Sequence, residues 1–306
     1  MIEPLYCKQR HKVKKALDLY CVMQYTLLMN RLPQAKRVQV VKALVEGNSI
    51  RATVRMTGVA KNTVAKLLIE LADACWEYQN DALRGLTCRR VEADEIWAFC
   101  YAKEANVPQE HKGEFGYGDI WTWVAMDADT KLIISSLVGE RDTPTAVEFM
   151  QDVRERIANR TQLTTDGLVC YLTAVEEAFG ADVDFAQLVK VYGPNPDADR
   201  RYSPAKFVTA EKRPVSGSPD PAKVSASHVE RQNLTMRMSM RRFTRLTNGF
   251  SKKAENLIAS VNLHSMHYNF ARPHTSLANP YPRTPAMAAG VEDHVWSVEE
   301  IVGLLS

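Results

Sequence analysis

Val91-Glu92-Ala93-Asp94-Glu95-Ile96-Trp97 reads as a short β-strand, with β-branched and aromatic residues at its ends and three carboxylates within four positions. Core formation alone seldom favours that arrangement, because a buried anion is costly unless a cation or hydrogen-bond donors meet it. A carboxylate on a central strand therefore calls for partners that could join it around a metal ion. Two stand downstream: Asp166 in Leu163-Thr164-Thr165-Asp166-Gly167, and Glu230 in Ser227-His228-Val229-Glu230-Arg231. The plainer alternative is that Asp94 solvates an edge strand, as most strand acids do. Glu92 and Glu95 compete with Asp94 as ligands, but strand alternation points Glu95 to the opposite face.

The segments that follow set this strand in a sheet. After a polar stretch containing Gly113, Gly116 and Gly118, residues 120–126 and 131–138 are apolar strands joined by a turn at Asp127-Ala128-Asp129-Thr130. Helical spacing returns over 143–157, a strand at 163–165 ends on Asp166, a helix covers 171–179, and another strand covers 185–191. Three strands, then helix, strand, helix, strand, predict an α/β fold with one mixed sheet and flanking helices. Residues 193–224 form a Pro-rich loop insert, with six prolines between Gly193 and Lys223. Helix resumes near Ala226. At 100° per residue, Glu230, Asn233, Arg237, Arg241 and Arg245 share an arc of ~120°, beside an apolar stripe of Val229, Met236, Met240 and Phe243. A further helix spans 250–270, and Pro273, Pro280, Pro282 and Pro285 mark an irregular C-terminal wrap.

Upstream, residues 11–30 have helical spacing, and 33–46 carries Val38, Val41, Leu44 and Val45 on one face before Gly47-Asn48 stops it. Ser49 can cap a helix over 50–57, Gly58 supplies a tight turn, and a third helix bears Val64, Leu67, Leu68 and Leu71; a connecting helix covers 71–86. Two short helices joined around a glycine form a helix-turn-helix. Its third helix would present Lys61, Asn62 and Lys66 to a DNA groove, with Arg51 and Arg55 at phosphates. A three-helix bundle with a solvated basic face is the alternative. The domains expected are a helical arm (1–35), a helix-turn-helix domain (36–86), a catalytic domain (87–272) and a C-terminal tail (273–306).

The 306 residues carry a net charge of only +3, but that balance hides a partition. Residues 1–72 hold 13 Lys/Arg against 4 Asp/Glu, whereas 73–192 hold 11 against 22. A basic first third suits an anionic partner, and an acidic middle suits a cation requirement. The six cysteines (Cys7, Cys21, Cys75, Cys88, Cys100, Cys170) are scattered without a Cys-x-x-Cys pair, which disfavours zinc and suits a reduced cytoplasmic, nucleoid-associated setting. No apolar run is long enough to span a membrane, and the N-terminus lacks the pattern of a secretory leader.

Taken together, Asp94-Glu95-x-Trp97, Thr165-Asp166-Gly167 and Val229-Glu230-Arg231-x-Asn233 resemble the three acidic motifs of bacterial insertion-sequence DDE transposases, in the group named for insertion sequence one. The three acids stand 72 and 64 residues apart. Tyr268-Asn269-x-x-Arg272-Pro273-His274-x-x-Leu277, followed by Thr284-Pro285-Ala286, resembles the tail of many such transposases and their integrase relatives. The segment 50–68 is similar to their DNA-binding modules. Many members of the group begin with a cysteine-pair zinc ribbon, which Cys7 and Cys21 do not supply, and the Pro-rich insert lengthens the gap before Glu230.

The resemblance implies a ribonuclease-H-like sheet in which the strands of Asp94 and Asp166 are neighbours. It also implies nicking at an element's ends, then attack of the freed 3′-hydroxyl on target DNA by a homo-oligomer. Two Mg²⁺ (or Mn²⁺) ions would be bridged by Asp94, with Asp166 on one and Glu230 on the other, lowering the nucleophile's pKa and stabilising the leaving oxygen. Without metal, three clustered acids raise each other's pKa values. Arg231, Arg237 and Arg241 would meet the DNA backbone. His228 is a weaker candidate for substrate phosphate or water. His264 and His267 read as core-edge or DNA-contacting rather than as a metal pair, and Trp97, Trp121 and Trp123 as core. Two other readings remain: a DNA-binding regulator with a catalytically silent sheet, and a ribonuclease-H-like nuclease without strand transfer.

Overall fold

Strand β1 (Arg90–Cys100) lies near the middle of a six-stranded mixed sheet in a computed structural model that describes residues 31–193, 206–244 and 248–305. The expected helix over 11–30, most of the N-terminal arm, Cys7, Cys21 and Arg245 fall outside those residues. β2 (Gly118–Asp127) and β3 (Ile133–Gly139) extend the sheet on one side of β1, β4 (Thr161–Asp166), β5 (Val183–Gly193) and β6 (Lys206–Ser216) on the other, giving the order β3-β2-β1-β4-β5-β6. β1 runs antiparallel to β2 and parallel to β4, which is itself parallel to β5. The strands carrying Asp94 and Asp166 are therefore direct neighbours.

Helices cover both faces. Ala93, Trp123, Ala125, Leu163 and Phe185 share a core with α4 (Thr143–Arg156) and α5 (Cys170–Phe179) through Phe149, Met150, Val153, Ala174 and Val175. On the other face Ile96, Ala98, Val124 and Met126 meet Val229 and Met236 of α6 (Ser227–Ser239) and Leu257 and Val261 of α7 (Ala254–Met266). Each fully buried large apolar side chain contributes roughly 1.5–3 kcal/mol. Local signals fix the connections. Asp142 caps α4 by accepting from Thr145 N–H at 3.0 Å. The β2–β3 turn is tied by Asp127, whose carboxylate accepts from the N–H groups of Asp129 and Thr130 at 3.2 and 3.3 Å.

Upstream stand α1 (Gln34–Val45), α2 (Ile50–Thr57) and α3 (Lys61–Ala82). Ser49 Oγ accepts from Ala52 N–H, and Gly58 takes the left-handed conformation (φ 71°) that ends α2. α3 is one continuous helix, with no break near Leu71. Its second half lies along α7, with Leu71 and Cys75 fully buried in the same core as the sheet. The C-terminal segment adds α8 (Pro285–Ala288) and α9 (Val298–Gly303), whose Ile301 and Val302 are buried in that core too.

Two expectations are corrected. Residues 193–224 are not all loop: β6 pairs antiparallel with β5, and Pro214 sits within it because an edge strand tolerates a missing donor. The helix from Ala226 does not run on to Arg245. It stops at Ser239, Met240 becomes extended (φ −125°, ψ 110°), and Arg241–Phe243 is a 3₁₀ turn that buries Phe243. Arg241 therefore leaves the line of Glu230, Asn233 and Arg237.

Candidate active site

Parallel register sets Ala93 beside Thr165, so Asp94 on β1 comes next to Asp166 at the end of β4. Carboxylate oxygens of Asp94, Asp166 and Glu95 all lie within 4.8 Å of one another. Glu95 joins this group although strand alternation sets it on the other face, as expected. Its Cα does belong to the opposite face, where Arg141 grips Oε1 at 2.6 and 2.8 Å and Tyr171 O–H donates to Oε2 at 3.3 Å. But β4 ends at Asp166 while β1 continues to Cys100, so no neighbouring strand separates the Glu95 carboxylate from Asp166.

Glu230, in the first turn of α6, is not within that group of three. It forms an ion pair with Lys190 on β5. It remains close enough that its charge raises the pKa values of both Asp94 and Asp166. Two contacts from β1 hold its helix over the sheet. Glu92 Oε2 accepts from His228 N–H at 2.7 Å and Val229 N–H at 3.1 Å, capping α6. One turn on, Asn233 Nδ2 donates to Asp94 Oδ2 at 2.8 Å.

Burial, then the charges of Glu95 and Asp166, push the Asp94 carboxyl up to about 7. Burial also raises Asp166, opposed by the Leu168 N–H bond and by Arg141 and Lys190. Glu95 is raised by burial and by Asp166, against its Arg141 bond. Asp94 therefore takes up a proton near neutrality unless a cation replaces it. The donor set is all oxygen from half-buried or buried carboxylates, which suits a hard divalent ion such as Mg²⁺. Asp94 and Asp166 are the residues that would hold one, with Glu95 and Glu230 at its margin.

No family model and no curated protein matches the chain. Among solved structures, a piggyBac transposase synaptic complex with hairpin DNA is similar over 89% of this chain and 69% of that one, at 11% identity and a TM-score of 0.39. A Mos1 strand transfer complex is similar over 78% of this chain and 75% of that one, at 10% identity and a TM-score of 0.22. Both likenesses are distant.

The remaining candidates scatter over the molecule. Arg51, Arg55, Lys61, Asn62 and Lys66 are all exposed on α2 and the start of α3, with Lys66 3.5 Å from Glu70. Arg231 is exposed beside Glu230, and Arg237 is half-buried. His264 is buried and its pKa falls to about 3 through loss of solvent, while His267 is lowered for the same reason, so both are core-edge groups. Trp123 is fully buried, whereas Trp97 and Trp121 are only half-buried. Arg141 lies over the Trp121 ring, 4.6 Å from its centroid. Sequence reasoning missed Arg141, Tyr171 and Lys190, because nothing local marks a residue whose role is to face a distant carboxylate. The early end of β4 at Asp166-Gly167 was the one signal for Glu95. No described helix is long and apolar enough to cross a membrane.

Proposed function

We propose that the protein is a DDE-type transposase, with a ribonuclease-H-like catalytic sheet and an N-terminal helix-turn-helix that binds DNA. The observation that carries this reading is the meeting of Asp94 and Asp166 from adjacent parallel strands, with a third carboxylate within 4.8 Å and Glu230 on the helix above. Nothing in a merely structural role requires acids from separate strands to be brought together and buried, with the pKa of each raised.

The reaction is hydrolysis at an element's end: water's oxygen forms a bond to phosphorus, and the bond to the 3′-oxygen breaks to leave a free 3′-hydroxyl. That hydroxyl then attacks a target phosphodiester, displacing the target's own 3′-oxygen. Divalent ions held by Asp94, Asp166 and Glu230 would supply charge neutralisation and a lower nucleophile pKa. The chain's other residues prepare the site. Asn233 orients Asp94, Arg141 restrains Glu95, Glu92 fixes the entry of α6, and Lys190 pairs with Glu230.

The test is strand cleavage of a plasmid carrying the element's ends, with and without Mg²⁺. Asp94→Asn and Asp166→Asn should each lower the rate by roughly 10²–10³-fold, as loss of an electrostatic transition-state contact does, with unchanged circular dichroism. Glu230→Gln should do the same. Folded variants that cut as well as the parent would remove the reading. A parent that protects DNA from footprinting reagents yet never nicks it would favour a DNA-binding regulator instead.

A further inference from the structure

Three cationic side chains and two imidazoles gather beside the first turn of α6, drawn from three separate parts of the chain. Lys131, just after the β2–β3 turn, adopts a left-handed backbone (φ 64°). Its ammonium donates to the Ala128 carbonyl and stands 3.5 Å from Nε2 of His228. From the C-terminal segment, His274 interacts electrostatically with Lys131, Arg272 and Arg231, and His228 does so with Lys131, Arg90 and His274. His274 Nδ1 accepts from Ser276 N–H at 3.3 Å, which places the proton of the neutral ring on Nε2.

The acids nearby are already engaged. Asp129 is bound by Arg89 and Arg90, Asp127 by the turn it ties, and Glu92 by the first N–H groups of α6. Among the described residues, no carboxylate comes within ion-pair distance of Lys131, Arg231 or Arg272. Arg231 and Arg272 are exposed, while Lys131, His228 and His274 are half-buried. Lys131, Arg231 and Arg272, with no described carboxylate in ion-pair reach, favour a bound anion.

We infer that Lys131, His228, Arg231, Arg272 and His274 form a binding site for backbone phosphates of duplex DNA, alongside Glu230. His228 precedes Glu230 by two positions and Arg231 follows it, so a strand held here runs past the carboxylates. Donors from a turn, a helix and a C-terminal segment suit consecutive phosphates better than one small anion. This gives Arg272 and His274 a role in the segment 268–277. The inference rests on the proposed function only in taking DNA as the ligand.

The experiment is binding of a fluorescent 20-base-pair duplex to the full chain across 50–200 mM KCl. The parent is compared with Arg272→Gln alone, with Lys131→Gln/Arg272→Gln, and with Lys103→Gln/Lys112→Gln, which removes two exposed lysines elsewhere. Each lost phosphate contact lowers the salt slope by roughly 0.9. The double variant should therefore lose about two units of slope and about tenfold in affinity, Arg272→Gln about half that slope, and the lysine control almost nothing. Equal slopes for parent and Arg272→Gln, or an equal loss in the control, overturn the site. A parent that does not bind overturns it as well. Binding that weakens as expected without metal-dependent cleavage supports this site and counts against the transposase reading. Unchanged binding with normal cleavage does the reverse.

Discussion

Asp94 takes most of its character from surroundings that the sequence does not contain. In an unfolded chain it ionises near 3.8; in the folded protein burial and neighbouring acids move it to about 7. The folded state thus holds the extra proton between those values. This contribution to stability is fully present below about pH 4 and is lost as pH rises through 7. Asp166, Glu92 and Glu95 shift in the same direction. Asp94→Asn removes the ionisation, so in chelator-treated buffer the Tm of the variant relative to the parent should climb from pH 5 to pH 8. Millimolar Mg²⁺ should raise the parent's Tm more at pH 8 than at pH 5, and the variant's much less, because bound metal stabilises only the state that holds it. A Tm difference that stays flat with pH would mean that Asp94 ionises normally. Asp94 and Asp166 were legible as candidates because an acid on an apolar strand is costly and therefore conspicuous. Glu95 was not, because alternation predicts the face of a side chain but not where the adjacent strand ends.

At the scale of the element, α6 depends on β1 for its position. Its first turn has no side-chain cap of its own: Ala226 precedes it, and Glu92 from the strand supplies the acceptor for two N–H groups. Glu92→Gln keeps an acceptor but removes the charge that favours a helix N-terminus, a loss of roughly 1 kcal/mol. We expect a Tm lowered by a few degrees and cleavage slowed about tenfold, since a small misplacement of Glu230 is costly, while affinity for a plain duplex stays the same. Parallel melting, cleavage and anisotropy measurements check this, and an unchanged cleavage rate would separate Glu92 from the placement of α6. The apolar stripe of Val229 and Met236 was readable from helical spacing. The end of the helix at Ser239 was not, since no glycine or proline follows to announce it. The chain turns there to bury Met240 and Phe243, a tertiary demand that overrides the helical pattern.

Across the whole molecule, the succession of strands and helices along the chain was the legible part, because their periodicities differ; which strands are neighbours in the sheet was implied only by the resemblance. β6 was hidden by its prolines, which at an edge cost little but in sequence look like loop. How the N-terminal helices join the rest is decided by α3. Lys61, Asn62 and Lys66 are exposed on its first turns, whereas Leu71, Ala72 and Cys75 are fully buried further along, where the helix lies on α7. One core contains these residues, Leu263, Met266 and Phe270, and the sheet residues Ala93 and Leu163. A boundary drawn near residue 86 therefore cuts through shared apolar packing rather than a linker. The expected consequence is a single unfolding transition in urea, with far-ultraviolet circular dichroism and tryptophan fluorescence changing together. A fragment of residues 87–306 exposes the α7 face that α3 covers, and should lack near-ultraviolet dichroism and melt without cooperativity. If that fragment instead gives a native-like near-ultraviolet spectrum and a sharp melt of its own, the helical segment is an independent domain. The exposed start of α3 would then no longer be held at a fixed position relative to Asp94 and Asp166.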